Sequence, residues 1–294
     1  MRFIHRRAKL RFMQFKTLID VDSLRALLGG RSNLRIIDCR FDLMHPEAGR
    51  RAYLEAHIPG ALYADLNRDL SAPAGPGTGR HPLPQAEVFA ARVSELGIGN
   101  HTQVVAYDDA NSSFAARLWW MLRWLGHDAV AVLDGGFKAW TAAGGAREAG
   151  EAAGATEHFT ARIGAESVVS TAELERALRD GTALLVDARA AERFAGTVEP
   201  IDPVAGHIPG AVNHPFSVNL AADGRFLPTL ELERRWRERL AGVPPDKLIA
   251  MCGSGVTACH HLLSLEAAGL PGGRLYAGSW SEWISDPRRP VARG

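Results

Sequence analysis

The sequence predicts an α/β protein built from two tandem copies of one domain, each a parallel sheet flanked by helices. Three observations predict it: a pentapeptide that occurs twice, short unbroken apolar runs of strand length, and helical segments with recognisable ends between them. His-Ile-Pro-Gly-Ala stands at 57–61 and again at 207–211, 150 residues later. Upstream of each copy an apolar run ends in Asp-x-Arg, at 38–40 and 187–189. Downstream of each lies a second apolar run, at 104–107 and 248–251. Each half closes on a Gly/aromatic cluster, at 135–140 and 278–283. Four matches in the same order at a near-constant offset mark a duplication.

Residues 1–16 hold six basic side chains and no acid. A signal peptide needs an unbroken apolar stretch of about 7–15 residues after its positive start. None follows, so 1–16 reads as a basic arm and the expected compartment is the cytoplasm. The first domain spans 17–145. Its apolar run 34–38 reads as a buried strand, as does 104–107. The segment 115–125 carries Trp119, Trp120 and Trp124 at helical spacing, with Arg117 and Arg123 interrupting it; it reads as a core helix, too short and too charged to span a membrane. Residues 142–155 are rich in Gly, Ala and charge without apolar periodicity, the composition of a linker; the linker is placed at 146–164. The second domain, 165–294, opens with Ser170 and Glu173 in capping-box spacing before a helix over 174–179. Residues 184–186 and 248–251 read as parallel strands covered on both faces. From Thr257 onward Leu262, Leu263, Leu265 and Ala268 keep helical spacing, and Gly269 stops the helix.

Composition excludes several functions. Lys+Arg 34 against Asp+Glu 33 leaves a net charge of +1, so nucleic acid and anionic membranes lose their usual attraction and neither is expected as a partner. Only four lysines are present, so arginine carries nearly all the positive charge and suits fixed, bidentate anion recognition. Three cysteines cannot build a disulfide scaffold, and their scarcity suits a reducing compartment.

The chemistry concentrates in Met251-Cys252-Gly253-Ser254-Gly255-Val256-Thr257-Ala258. This stretch leaves the C-terminal end of a predicted strand and enters a helix, the place where open α/β sheets bind ligands. Two glycines in four positions let the backbone curl until successive N–H groups face inward, a nest for anions at the positive end of a helix. A thiol at the rim of that nest has its pKa lowered and is the expected nucleophile. Cys39, at the end of a buried strand, and Cys259, inside the helix, read as packing cysteines. Asp38, Asp187, His57 and His207 read as scaffold, the carboxylates holding neighbouring turns through backbone N–H groups.

The Asp-x-Arg pairs, both His-Ile-Pro-Gly-Ala copies and the Cys-Gly-Ser-Gly-Val-Thr loop together resemble the tandem rhodanese-type sulfurtransferases. The likeness runs from about residue 18 to 283. It implies two rhodanese-like domains of which the second is catalytic. Aligned on the strands, Cys252 corresponds to Asp108, and a loop without cysteine cannot carry sulfur; the first domain would pack against the second and wall the site. The resemblance implies that the Cys252 thiolate takes sulfur from a small anionic donor and holds it as a persulfide. A thiol, cyanide or thioredoxin-like dithiol then accepts it, with no metal or organic cofactor. The outer sulfur would sit among the N–H groups of 253–258, including Gly253, Gly255 and Val256, with Ser254 and Thr257 adding hydroxyl bonds.

Family members that prefer thiosulfate tend to place Arg and Lys after the cysteine, whereas Gly253 and Ser254 resemble the 3-mercaptopyruvate sulfurtransferases. Arg193 falls on one of two arginines those proteins use to clamp the donor, and the second falls near Asp202. 3-Mercaptopyruvate is therefore the expected donor, with thiosulfate as the alternative and half of the usual clamp absent. The resemblance also implies a relay in which His81 and a carboxylate activate Ser254; the carboxylate position falls on Asn67, flanked by Asp65 and Asp69. A cysteine phosphatase would need arginine where Ala258 stands. A persulfide carrier without its own small-molecule donor keeps Cys252 but needs no Arg193. Cys252, Cys259, His260 and His261 match no zinc spacing.

Overall fold

The computed structural model describes residues 14–30, 33–163 and 168–294. Of the basic arm, all but 14–16 lies outside the described residues. The chain divides into two compact units, Met1–Leu70 with Pro84–Ile163, and Ser71–Leu83 with Gly164–Gly294. The duplicated motifs place Ser71–Leu83 in the first repeat, yet this segment belongs to the second unit.

In the first unit, β1 (Leu18–Ile19), β2 (Leu34–Asp38), β3 (Leu62–Tyr63), β4 (Gln103–Tyr107) and β5 (Val130–Leu133) form one sheet in the order β1-β5-β4-β2-β3. Every pairing is parallel. In the second unit β6 (Leu184–Asp187), β7 (Val212–Asn213), β8 (Leu248–Met251) and β9 (Arg274–Leu275) run β7-β6-β8-β9, again all parallel. Val168 adds a parallel bridge to Leu275, the counterpart of β1. The two sheets therefore share one topology, as the duplication predicts.

β8 is apolar throughout, and β4 is apolar after Gln103, the pattern of parallel strands covered on both faces;. All four residues of β8 are fully buried, as are Val104 to Tyr107 of β4. The predicted helix after the cysteine loop spans Thr257–Ala267, and Gly269 follows it with φ +72°. The capping box at Ser170 and Glu173 is formed, and its helix runs over Thr171–Arg179. Trp119 and Trp120 are buried in the helix Ala115–Trp124, and Trp124 stacks on Trp120 at 6.0 Å. Among its described residues, the segment placed as a linker at 146–164 carries no helix. It is bonded to the first unit along its length, through Glu148 to His57, Glu151 to Arg50, and the Arg162 N–H to the Leu125 carbonyl.

The repeated motifs do the same work in both units. The Arg40 guanidinium forks onto buried Asp38, with Nε at 2.9 Å, and donates to the Ala56 carbonyl at 2.7 Å. Arg189 forks onto Asp187 and donates to the Gly206 carbonyl at 2.8 Å. Each arginine thus ties the end of its strand to the residue just before His-Ile-Pro-Gly. Each also lies over an aromatic ring of its Gly/aromatic cluster, Phe137 at 4.4 Å and Trp280 at 4.8 Å;. His57 Nδ1 lies 2.8 Å from the Tyr53 carbonyl and stacks on Tyr53, while His207 does both with Phe194. Neither histidine faces chemistry. They are scaffold.

Candidate active site

β8 ends at Met251, and the chain turns through Cys252, Gly253, Ser254, Gly255 and Val256 before the helix begins at Thr257. Only glycine fits at 255. Its φ is +78°, and a β-carbon there would lie 2.2 Å from the Ala277 carbonyl oxygen;. That turn aims the Gly255 amide back into the loop, where its N–H donates to Cys252 Sγ at 3.2 Å. Cys252 is 2% exposed, so the sulfur lies inside the loop and not at the rim where the sequence suggested it.

The cysteine backbone is pinned from the helix Ser279–Trp283. The Cys252 N–H donates to Ser279 Oγ at 3.0 Å, and the Trp280 N–H donates to the Cys252 carbonyl at 3.0 Å. Ser279 donates its own hydroxyl to the Tyr276 carbonyl at 2.9 Å. Its φ is +54°, a left-handed conformation that costs a non-glycine residue about 1–2 kcal/mol. The first unit has Gly136 at the matching place, with φ +59°. Sequence reasoning missed Ser279; the signal was a serine standing where the first copy of the Gly/aromatic cluster has its second glycine.

Ser254 and His81 come together: His81 Nδ1 lies 2.7 Å from Ser254 Oγ, and both are buried. Asp65 accepts the N–H groups of Asn67 and Arg68, while Asp69 accepts the Asp65 N–H and pairs with Arg68 and Arg92. Both carboxylates are thus engaged within the first unit, Asp69 reaching the helix Ala86–Glu95 through Arg92. Val256 is buried just before the helix, and Thr257 is its first, partly buried residue.

Arg193 lies beside the loop. A β-carbon on Gly253 would stand 3.6 Å from both Arg193 Nη1 and Nη2, and 3.0 Å from Arg80 Nη2. Asp202, at the place of the second family arginine, is buried and bridges these two guanidinium groups; Arg193 Nη2 reaches Asp202 Oδ2 at 2.9 Å, and Arg80 Nη1 pairs with Oδ1. Glu199 holds Arg193 from the other side, with Nη2 to Oε1 at 2.8 Å. Burial opposes ionisation of Glu199, yet its bond to Arg193 and the N–H groups of Asp202 and Ile201 hold its carboxyl below the usual range. The position of the second family arginine holds an acid, as the sequence shows, and a guanidinium from position 80 lies beside it and beside the loop. Gly79-Arg80-His81 carried that signal, since Arg80 directly precedes the residue matched to the family histidine.

The corresponding loop of the first unit is filled by its own side chain. Asp108 follows β4 as Cys252 follows β8, and its carboxylate accepts the N–H groups of Ala110, Ser112, Phe114 and Ala115 at 2.8–2.9 Å. Burial pushes its carboxyl up to about 6 against the pull of those amides. The other cysteines are packing residues. Burial, with Asp38, Asp108 and Asp69 nearby, pushes the Cys39 thiol well up, and Cys259 is buried with Sγ 3.3 Å from the Gly255 carbonyl oxygen.

Two α/β units of one topology, with a cysteine cradled between strand and helix in the second, define a class of protein that comparison with known families identifies. A rhodanese-like domain model matches residues 20–143 and 170–286, and the chain belongs to the rhodanese family. A Pseudomonas aeruginosa protein described as a probable 3-mercaptopyruvate sulfurtransferase is 52% identical, over 96% of this chain and 100% of that protein. Thiosulfate/3-mercaptopyruvate sulfurtransferase 2 of Arabidopsis thaliana is 34% identical, over 93% of this chain and 86% of its own length. The crystal structure of the 3-mercaptopyruvate sulfotransferase SseA from Escherichia coli superposes with a TM-score of 0.78 at 35% identity, covering 91% of this chain and 100% of that one.

Proposed function

We propose that this chain is a sulfurtransferase that carries sulfur as a persulfide on Cys252, with 3-mercaptopyruvate as its donor. The enzyme class follows from the family and from relatives that match along nearly their whole length. The observation that carries the reading of the site is the Gly255 N–H bonded to Cys252 Sγ, because inward-facing amides stabilise negative sulfur where the reaction develops it. The Cys252 thiolate attacks the donor sulfur, a new S–S bond forms, and the C–S bond breaks. Its electron pair leaves on the methylene carbon as the enolate of pyruvate, which takes up a proton. An acceptor thiolate, cyanide or a thioredoxin-like dithiol then attacks the outer sulfur, and Cys252 departs as thiolate. Two easier steps replace one, so ping-pong kinetics are expected.

His81 and Ser254 are close enough to exchange a proton, and this pair is assigned the proton released from the donor thiol. Gly253, Gly255 and Val256 supply the backbone around the outer sulfur, Thr257 opens the helix whose positive end faces it, and Arg193 anchors the donor's acid end. The first domain carries no sulfur, since Asp108 already occupies the amides of its loop. The three cysteines are free thiols, which suits a reducing compartment such as the cytoplasm. No helix among the described residues is long and apolar enough to cross a membrane.

Initial rates with 3-mercaptopyruvate and with thiosulfate, each with cyanide as acceptor, test the donor. The expected result is a higher kcat/KM with 3-mercaptopyruvate. A higher value with thiosulfate would reassign the donor and leave the persulfide step in place.

A further inference from the structure

The loop that follows Cys252 is uncharged at Gly253 and Ser254, so any cation that meets an anionic donor there has to come from elsewhere in the chain. Two guanidinium groups reach this point. Arg193 arrives from the second repeat, as expected, and Arg80 arrives from Ser71–Leu83, within the same compact unit. Arg80 is held at backbone and side chain alike. Its N–H donates to Ser281 Oγ at 3.0 Å. Gly79 before it lies so close to the Gly278 carbonyl that a β-carbon would stand 2.6 Å from that oxygen. His81 after it meets Ser254. Three consecutive residues are therefore strapped to the surroundings of the cysteine loop.

The side chain of Arg80 is divided in its engagements. Nη1 pairs with Asp202, while Nη2 is the atom nearest the Gly253 β-position, at 3.0 Å. Arg193 is arranged in the same way, with Nε and Nη2 on Glu199 and Asp202, and with Nη1 3.6 Å from that position. Each guanidinium is fixed by carboxylates at one edge and presents another edge to the residue next to the sulfur. Fixed planar forks of this kind match a carboxylate and an adjacent carbonyl oxygen.

We propose that Arg80 is the second donor-anchoring arginine of this enzyme, set in place by Asp202, and that Arg80 and Arg193 together bind the carboxylate and keto oxygen of a 2-keto acid. The position that would have held the family's second arginine holds an acid, and that acid recruits a guanidinium from another segment. Arg80 is thus a specificity-determining residue. The proposal rests on the keto-acid donor proposed above, and its test separates the two ideas.

Steady-state kinetics with 3-mercaptopyruvate, and product inhibition by pyruvate, are measured for the full-length protein and for Arg80→Ala, Arg80→Lys, Arg80→Gln and the double variant Arg80→Ala/Asp202→Asn. Thermal melting checks that each is folded. Removing a charged hydrogen bond to substrate raises KM and the pyruvate inhibition constant by about tenfold or more, with a smaller change in kcat. Arg80→Lys, which keeps the charge but loses the fork, is expected to fall between wild type and Arg80→Ala. The double variant distinguishes anchoring from mere neutralisation of Asp202. Under the proposal its KM stays high, because the acid was never the obstacle. A return to the wild-type KM in the double variant would overturn the proposal, as would Arg80→Ala or Arg80→Gln with unchanged KM and unchanged pyruvate inhibition. A wild-type enzyme that does not turn over 3-mercaptopyruvate would instead remove the donor reading beneath it.

Discussion

At the scale of single residues, the site depends on a backbone conformation that one side chain makes worthwhile. Ser279 sits at φ +54° and receives the Cys252 N–H. Replacing it with glycine relieves about 1–2 kcal/mol of left-handed strain. The same change leaves a buried amide without its acceptor, which costs about 1–3 kcal/mol and frees the cysteine backbone to move. The second effect acts on the reacting residue, so Ser279→Gly is expected to lower kcat several-fold with at most a small change in melting temperature. An unchanged kcat would show that the hydroxyl does not position Cys252. Cys252 itself was legible from its neighbours, because glycines at 253 and 255 after an apolar run have few other uses. Ser279 and Arg80 carried weaker signals, since what each touches is set by folding contacts between segments far apart in sequence.

At the scale of elements, the two repeats show how one strand-to-helix loop cradles a cysteine or closes on a carboxylate. In the second unit five residues separate β8 from the helix, and the Gly255 amide points at sulfur. In the first unit seven residues separate β4 from its helix, and four amides close on Asp108. The cradle is the same device with a resident anion. Gly255 is the residue on which the open version turns. Gly255→Ala would place a methyl 2.2 Å from the Ala277 carbonyl oxygen at φ +78°, so the loop must rearrange and the amide must leave the sulfur. Sulfur transfer is expected to fall by at least about a hundredfold, the scale of losing one such donor, while far-UV circular dichroism stays native. Retention of near-full activity would mean that this amide is not part of the cradle. The strands and helices around both loops were legible because their apolar periodicity is strong; the exposure of Cys252 was not, because it depends on what packs over the loop.

At the scale of the whole molecule, the duplication was the most legible feature, and the structure explains it physically. Asp-x-Arg, His-Ile-Pro-Gly and the Gly/aromatic cluster meet in one knot in each unit, so all three had to be kept together. The boundary between units was less legible, because Ser71–Leu83 changes unit and composition does not record that. Stability against pH is also a property of the whole. Burial pushes His260 down to about 3 and His214 down to about 4, with His261 also well down. An unfolded histidine titrates near about 6.5. Between about 6.5 and about 4 the unfolded chain therefore binds protons that the folded chain refuses, so the stability these three contribute is present above 6.5 and is lost as pH falls. Burial lowers His127 as well, which adds to the three, whereas Asp108, pushed up to about 6, and Asp109 and Asp202, also raised by burial, act in the opposite direction. The melting temperature is expected to drop as pH is lowered through this window, and His260→Phe, which keeps a ring against Phe226, is expected to flatten the slope. An equal slope in that variant would assign the acid sensitivity elsewhere. The proposed reaction requires that Cys252 alone hold the sulfur, and the most direct measurement of this is the intact mass of protein exposed to 3-mercaptopyruvate without acceptor. The account predicts the mass of one added sulfur atom in wild type, Cys39→Ser and Cys259→Ser, and none in Cys252→Ser. A sulfur adduct that persists in Cys252→Ser would contradict it.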